Sequence, residues 1–440
     1  MLQITREKEP YLADLEARRV AGAVSPAWVR TLRERGATGF RELRFPNTHD
    51  EDWKYTSVAP ILGVPFRTAA EPGVVDPAVL APLTYGTTRR ARLVFVDGHY
   101  VPSLSSTEGL ASRVLATSLA TLAGNTSVTA ERHLGHYARP DTHVFTALNT
   151  ALLDDGAVVV VPAGTILEAP IQLLFVSSDR EQPTGSHPRV LIVVGRGAEA
   201  TVVETHAALG SAPSFANAVA EIMVGEGAGL TYYKVVRDGA ACFHVGTTQV
   251  QQERDSRFTS FAITLGGPLV RNDLNVALDA EGAECTLNGL YLTAGGDHVD
   301  NHTFVDHARP HGTSREVYKG VLDGSSRAVF NGKVFVRPGA NGTDAQQTNR
   351  NLLLSNDAHV DTKPQLEIFA DDVRCTHGAA IGQLDDEMIF YLNSRGMSDD
   401  TARRLLTYGF AGEVLEAMGV AEVRATLDDV LAARLAARRS

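Results

Sequence analysis

Val373, Cys375 and His377 recur at every second position near the end of the segment from Asp361 to Gly382. If that segment is extended, all three side chains leave one face. A thiol and an imidazole then sit one pleat apart, a soft and a borderline ligand aimed at one spot. The plainer reading of the same residues stays open. A lone cysteine in a strand is usually a small buried hydrophobe, and a lone histidine a satisfied structural group. Asp297 to His307, with His311, forms the richest His/Asp cluster. On an extended strand His298, Asp300 and His302 share one face. That grouping suits a metal site, an acid/base pair or a hydrogen-bonded ladder on the polar side of a β-solenoid. His133 and His136 flank Gly135 in a His-x-x-His arrangement, but no third ligand follows at a useful spacing.

Other chemistry is excluded by pattern. Asn331-Gly-Lys333 is followed by Val334 and lacks the glycine of a phosphate-binding loop. Gly195-Arg-Gly-Ala198 has no third glycine opening a helix, so it is no dinucleotide fingerprint. No Gly-x-Ser-x-Gly elbow appears. The net charge of −11 opposes general nucleic-acid binding. Cys242, Cys285 and Cys375 are too few for a disulfide framework and too few for the four thiolates of an iron–sulfur cluster. Any cluster needs ligands from another chain or of another type. Cys242 and Cys285 read as buried packing residues.

The elements that must position Cys375 and His377 are strands. Leu366, Ile368 and Ala370 alternate, Asp371 and Asp372 supply a turn, and the alternation resumes at Val373. From about Asp154, short Val/Ile/Leu/Phe strands alternate with Gly, Asp and Asn turns, and no helical period returns before Gly382. The turns echo one another: Gly195–Ala198, Gly225–Ala228, Glu281–Ala283, Asp323-Gly324 and Asn356–Ala358. Weak repeats of this kind suggest stacked β coils, with a large β-sandwich as the other reading. Residues 1 to about 150 read as mostly helical. Ser25-Pro26 starts a helix that Gly36 ends, Trp53 and Tyr55 read as core anchors, and Leu93–Gly98 is a short strand and turn. After Gly382 the helical period returns. Ser398 caps a helix whose Leu406, Phe410, Val414 and Met418 fall four apart, and Gly419 closes it. That stripe fits core packing or partner docking equally. Thr426–Asp429 resembles a capping box for a final helix with Arg434, Arg438 and Arg439 near its end.

With 44% hydrophobic and 21% charged residues, the 440-residue chain reads as an ordinary soluble globular protein of one to three domains. No apolar run approaches the ~20 residues of a membrane span, and the first ten residues are not a secretory signal, so the cytoplasm is expected.

Four segments carry a resemblance. Thr343–Ser355, Asp361–Ile368, Ala370–Gly378 and Phe390–Gly396 resemble the C-terminal half of the SufB/SufD family, scaffold subunits of the SUF iron–sulfur cluster assembly machine. The SufD branch is the closer match, and Pro46–Thr56 resembles its N-terminal Glu-x-Trp-x-Tyr-Thr motif. The cysteine and the His-Glu-Ala sequence typical of the SufB branch are missing near Thr348–Leu354 and Thr376–Ala379, and Gly312 stands where many relatives have a cysteine. The resemblance implies a right-handed parallel β-helix core, mainly β, over 151–383, between a mostly helical 1–150 and a helical 384–440.

It further implies a non-enzymatic scaffold that pairs with SufB through the β-helix and docks the ATPase SufC on its C-terminal helices. Leu406, Phe410, Val414 and Met418 would form that docking contact. A transient iron–sulfur cluster would form at the interface, with Cys375 and His377 as ligands from this chain. Expected absences are a bound nucleotide, nucleic acid and membrane. Pairing of the isolated chain with itself is left open. The competing class is a β-helix carbohydrate lyase or hydrolase built on the Asp297–His311 cluster. Such an enzyme would run alone in purification, whereas a scaffold would co-purify with an ATPase.

Overall fold

A computed structural model describes residues 2–21, 26–86, 91–122 and 128–436. Ser25, Arg438 and Arg439 lie outside the described residues.

The centre is a parallel β-solenoid of about eight turns, not a sandwich. Each turn gives one strand to each of two sheets. The first sheet runs from Gly156–Val161 to His359–Ile368, and the second from Ile171–Ser177 to Val373–Gly382. Neighbouring strands pair in parallel, in register, one turn apart. The repeated turns noted in the sequence are the corners of this stack. Gly197 and Gly227 adopt φ of 63° and 64°, which a side chain disfavours. Each donates its N–H to the next corner, Gly197 to Glu226 O and Gly227 to Arg254 O, both at 2.8 Å. Asp255 holds the same place without glycine, at φ 53°, and donates to Glu281 O at 3.0 Å. Aspartate tolerates the left-handed region better than most residues.

Inward side chains fill the lumen with Val, Ile, Leu and Phe, such as Val202, Leu230, Phe258 and Val276. The outer faces are covered by the chain ends. The first sheet packs Phe215, Val245 and Leu269 against Phe40, Phe45 and Phe145 of the N-terminal region. The second sheet packs Tyr233, Phe261, Ile263 and Leu290 against the Asp399–Glu416 and Ala421–Ala436 helices.

Several local expectations change. Gly36 does not end its helix, which runs Ala27–Glu42. A Cβ there would collide with the backbone of Thr150 and Ala151, so the glycine permits close helix packing. Trp53 packs against the Phe145 cluster as an anchor, but Tyr55 is exposed. Thr426 is no cap: the last helix begins at Ala421, and the Thr426 hydroxyl donates to Glu422 O within it. Ser398 is a cap, its Oγ accepting from Thr401 N. The N-terminal region also supplies strands. Arg92–Val96 extends the second sheet, and Leu115–Ser118 pairs antiparallel with Gly156–Val161 to close the first. The solenoid's first turn is thus capped.

Candidate functional site

Among the described residues the last turn has no such cap. His359–Ile368 and Val373–Gly382 are the terminal strands of their sheets, and most of Val373–Gly382 is exposed. Cys375 sits on this last strand, half-buried against Val334, Val336, Ala340 and Ala345 at the lumen mouth. It therefore points inward, and strand alternation puts His377 on the same face, as the spacing predicts. His377 is exposed because, among the described residues, no turn follows. In register behind these two run inward columns. Phe258, Cys285, Ser314 and Ala345 precede Cys375, and Ser260, Leu287, Glu316 and Gln347 precede His377.

The thiol is not pre-ionised. Burial pushes its pKa up, an Ala345 backbone N–H pulls against this, and the Asp344 carboxylate adds to the rise. Any metal taken up by this thiol would therefore displace a proton. The donor set fits iron in kind, a sulfur and an imidazole nitrogen, but not in number. Among the described residues no three His, Cys, Asp or Glu side chains gather to hold a metal. Cys242 and Cys285 are fully buried, and burial drives both thiols well above the ordinary range.

The expected docking stripe is largely internal. Val414 and Met418 are buried against the second sheet, so they pack the helix onto the solenoid and are not a docking surface. Leu406 is half-buried. Phe410 is half-buried over the Lys319 ammonium, 4.7 Å from the ring centre, and Lys319 Nζ donates to Phe410 O at 3.0 Å. An amphipathic stripe records that a face is buried, not by what. The exposed apolar side chains lie earlier: Met388, Phe390 (75% exposed) and Tyr391 on the Asp386–Ser394 helix, then Met397, Leu405 and Tyr408.

The His/Asp cluster is split. Outward-facing Asp300 accepts from Arg271 Nη1 at 2.7 Å and from Thr56 Oγ1 at 2.5 Å, and contacts His302 Nε2 at 3.0 Å. Burial would raise its pKa, but Arg271 and His302 hold the carboxyl far below the usual range. Trp53 lies over the Arg271 guanidinium at 4.4 Å. These groups lock the Pro46–Thr56 segment to the solenoid. His307 instead faces inward and bonds Ser314 Oγ at 2.9 Å. His133 bonds the Tyr137 hydroxyl at 2.6 Å. A cleft of about 710 Å³, lined by Trp53, Arg271, His302 and Lys333 among others, opens beside the locked segment and was not foreseen.

Two family models account for the chain. The model described as "SUF system FeS cluster assembly, SufBD core domain" matches residues 175–410, and "SufBD protein N-terminal region" matches residues 11–173. The chain belongs to the SufBD family. A SufBD family protein of Synechocystis is 36% identical over 91% of this chain and 90% of its own. The iron–sulfur cluster assembly protein SufD of Escherichia coli is 34% identical over 85% of each chain. SufD of Bacillus subtilis is 26% identical over 92% of this chain and 94% of its own. The SufBD core match contains the open last turn, Cys375 and His377, and most of the Asp399–Glu416 helix. Family membership places the chain in iron–sulfur cluster assembly by the SUF system. What sequence reading missed in this SufBD chain is its buried polar groups. Arg189 pairs with Glu221, which also accepts the backbone N–H groups of Gly135, Tyr137 and Ala138. Glu316 accepts from Gln347 inside the lumen.

Proposed function

We propose that this chain is a non-enzymatic scaffold subunit that pairs with SufB through the open end of its solenoid. The nascent cluster is then cargo held at that junction, with Cys375 and His377 from this side and the missing thiolates from SufB. The supporting observation is the uncapped last turn. One end of the solenoid is closed by Leu115–Ser118 and Arg92–Val96, while the other leaves two strand edges bare beside a thiol and an imidazole. Bare edges invite strand pairing, and folded proteins normally blunt them. Exposed Phe369 and Ile381 lie at the same end. The ATPase SufC would dock on the exposed apolar side chains of the C-terminal helices, with Phe390 and Tyr391 replacing the buried Val414 and Met418 in that role.

ATP-driven closure of two such ATPases, one on each scaffold, would pull the helical ends together and open the junction at Cys375. The chain itself binds no nucleotide in this scheme, so the energy comes from the partner's differential affinity for ATP. The test uses the native assembly recovered by pull-down, with iron and sulfide measured. Cys375→Ser and His377→Ala should each abolish cluster content while circular dichroism stays unchanged. Full cluster content in both variants would remove the ligand assignment. Labelling of Cys375 by a thiol reagent should rise with ATP and a hydrolysis-dead ATPase, and Phe390→Asp should block that rise. Equal labelling with and without ATP sinks the gating step alone.

A further inference from the structure

Gln347 is fully enclosed in the lumen, one strand behind His377 and in register with it. In-register neighbours in a sheet lie about 4.8 Å apart, within reach of two long side chains on one face. The two ends of the Gln347 amide differ. Its Nε2 donates to Glu316 Oε2 at 2.7 Å, one strand further in. Its Oε1 is buried with no hydrogen-bond partner. An acceptor left unpaired in a buried site costs about 1–3 kcal/mol, so such an atom calls for a donor. The nearest column member on the open side is His377, whose imidazole carries an N–H. Burial raises the Glu316 pKa to about 7, so the ionised form prevails above that pH, and there it turns the amide one way, because a carboxylate accepts and does not donate. It therefore presents Oε1, not Nε2, to whatever follows.

We propose that Gln347, oriented by Glu316, is the positioning residue for His377: Oε1 accepts one imidazole N–H, which leaves the other ring nitrogen with its lone pair free for iron. The role rests on the reading of His377 as a ligand. Ligating histidines almost always donate their second N–H in this manner, and losing the acceptor typically lowers metal affinity 10–100-fold. The imidazole is thus selected in one tautomer before any iron arrives.

The test begins with the metal-free full-length chain carrying ¹⁵N-histidine. Long-range proton–nitrogen correlation reads the tautomer of His377, assigned by the signal lost in His377→Ala. The wild type should show one tautomer. Gln347→Leu, which removes the acceptor, should give a mixture. Gln347→Glu restores an acceptor and should restore the single form, so a misfolded Leu variant does not end the test. In the assembled complex, Gln347→Leu should retain ferrous iron about tenfold more weakly, with Gln347→Glu close to wild type. A mixed tautomer in the wild type, or no change in Gln347→Leu, overturns the proposal. An ordered water that satisfies Oε1 would give that second result. If His377→Ala retains iron as the wild type does while Gln347→Leu still shifts the tautomer, the ligand reading fails and the positioning stands.

Discussion

Replacing Lys319 with methionine removes an ammonium that pins the Asp399–Glu416 helix to the solenoid from below. Lys319 stands on the outer face of Thr313–Leu322 and is only 1% exposed. Its Nζ donates to Phe410 O at 3.0 Å, lies under the Phe410 ring and pairs with the Glu413 carboxylate. A charged donor to a carbonyl is worth about 1.5–3 kcal/mol. The ring contact adds about 0.5–2 kcal/mol. Glu413 is 62% exposed, so that pair is screened and adds no more than about 1 kcal/mol. Against these stands the expense of holding an ammonium out of water, several kcal/mol that methionine does not incur. Methionine also keeps most of the apolar stem in place. The contacts sum to about 2–6 kcal/mol, and the upper end less about 4 kcal/mol of desolvation leaves a net loss of about 2 kcal/mol of docking free energy, or roughly a 30-fold shift in the docking equilibrium.

Ala411, Val414, Leu415 and Met418 remain buried in the seam, so the helix should stay docked on average. Native-state hydrogen exchange reads the difference. Amides of Asp399–Glu416 that exchange by undocking should speed up about 30-fold, while those of Glu284–Thr293 keep wild-type rates. Unchanged rates in the helix would mean that desolvation cancels the contacts. Equal acceleration in both segments would mean that the helix and the solenoid open as one unit. Either result would refute the reasoning.

Two further expectations concern titratable groups. In the native chain a thiol reagent should modify Cys375 alone, because Cys242 and Cys285 are enclosed and their thiols are driven upward by burial; modification of all three before denaturant is added would contradict that burial. Glu316 should make folding pH-dependent, since burial raises its pKa from 4.5 to about 7. A carboxyl raised on folding stays protonated where the unfolded chain ionises, so its contribution is intact below pH 4.5, is lost between pH 4.5 and 7, and stays lost above. Glu316→Gln should flatten that decline by about 3 kcal/mol relative to wild type in denaturant titrations, and parallel pH profiles would count against it.

The solenoid was legible because its corners are stereotyped. A glycine or Asn/Asp at each corner, between apolar strands, repeats often enough to show stacking. Cys375 and His377 were legible as a pair because alternation on a strand fixes which side chains share a face. The Asp399–Glu416 stripe was ambiguous for a physical reason. Burial at Val414 and Met418 satisfies the same periodicity whether the covering surface is this solenoid or another protein. The Glu316–Gln347 contact was invisible because its members lie 31 residues apart, and only the register of the coils brings them together. Buried charges such as Glu221 and Arg189 mislead in the same way, since a charged residue in a strand is normally read as solvent-facing.

The placement of the helices bears on how a distant partner could act on Cys375. They pack on Tyr233, Phe261, Leu290 and Val321, all on the second sheet. That same sheet ends in the strand carrying Cys375 and His377. Between the helix footprint and the last strand run continuous in-register parallel ladders, with each strand bonded to the next along its length. Such a stack offers no hinge, because bending it breaks several backbone hydrogen bonds at once. A pull on the helices therefore moves the sheet as a body. Under the proposed pairing, displacement would concentrate where the ladder stops, at the open turn beside Cys375. Lys319 lies on this route, which ties the first prediction to the last: a loosened helix should respond to ATP without passing the motion on, and ATP-dependent labelling of Cys375 should fall in Lys319→Met even where the ATPase still binds.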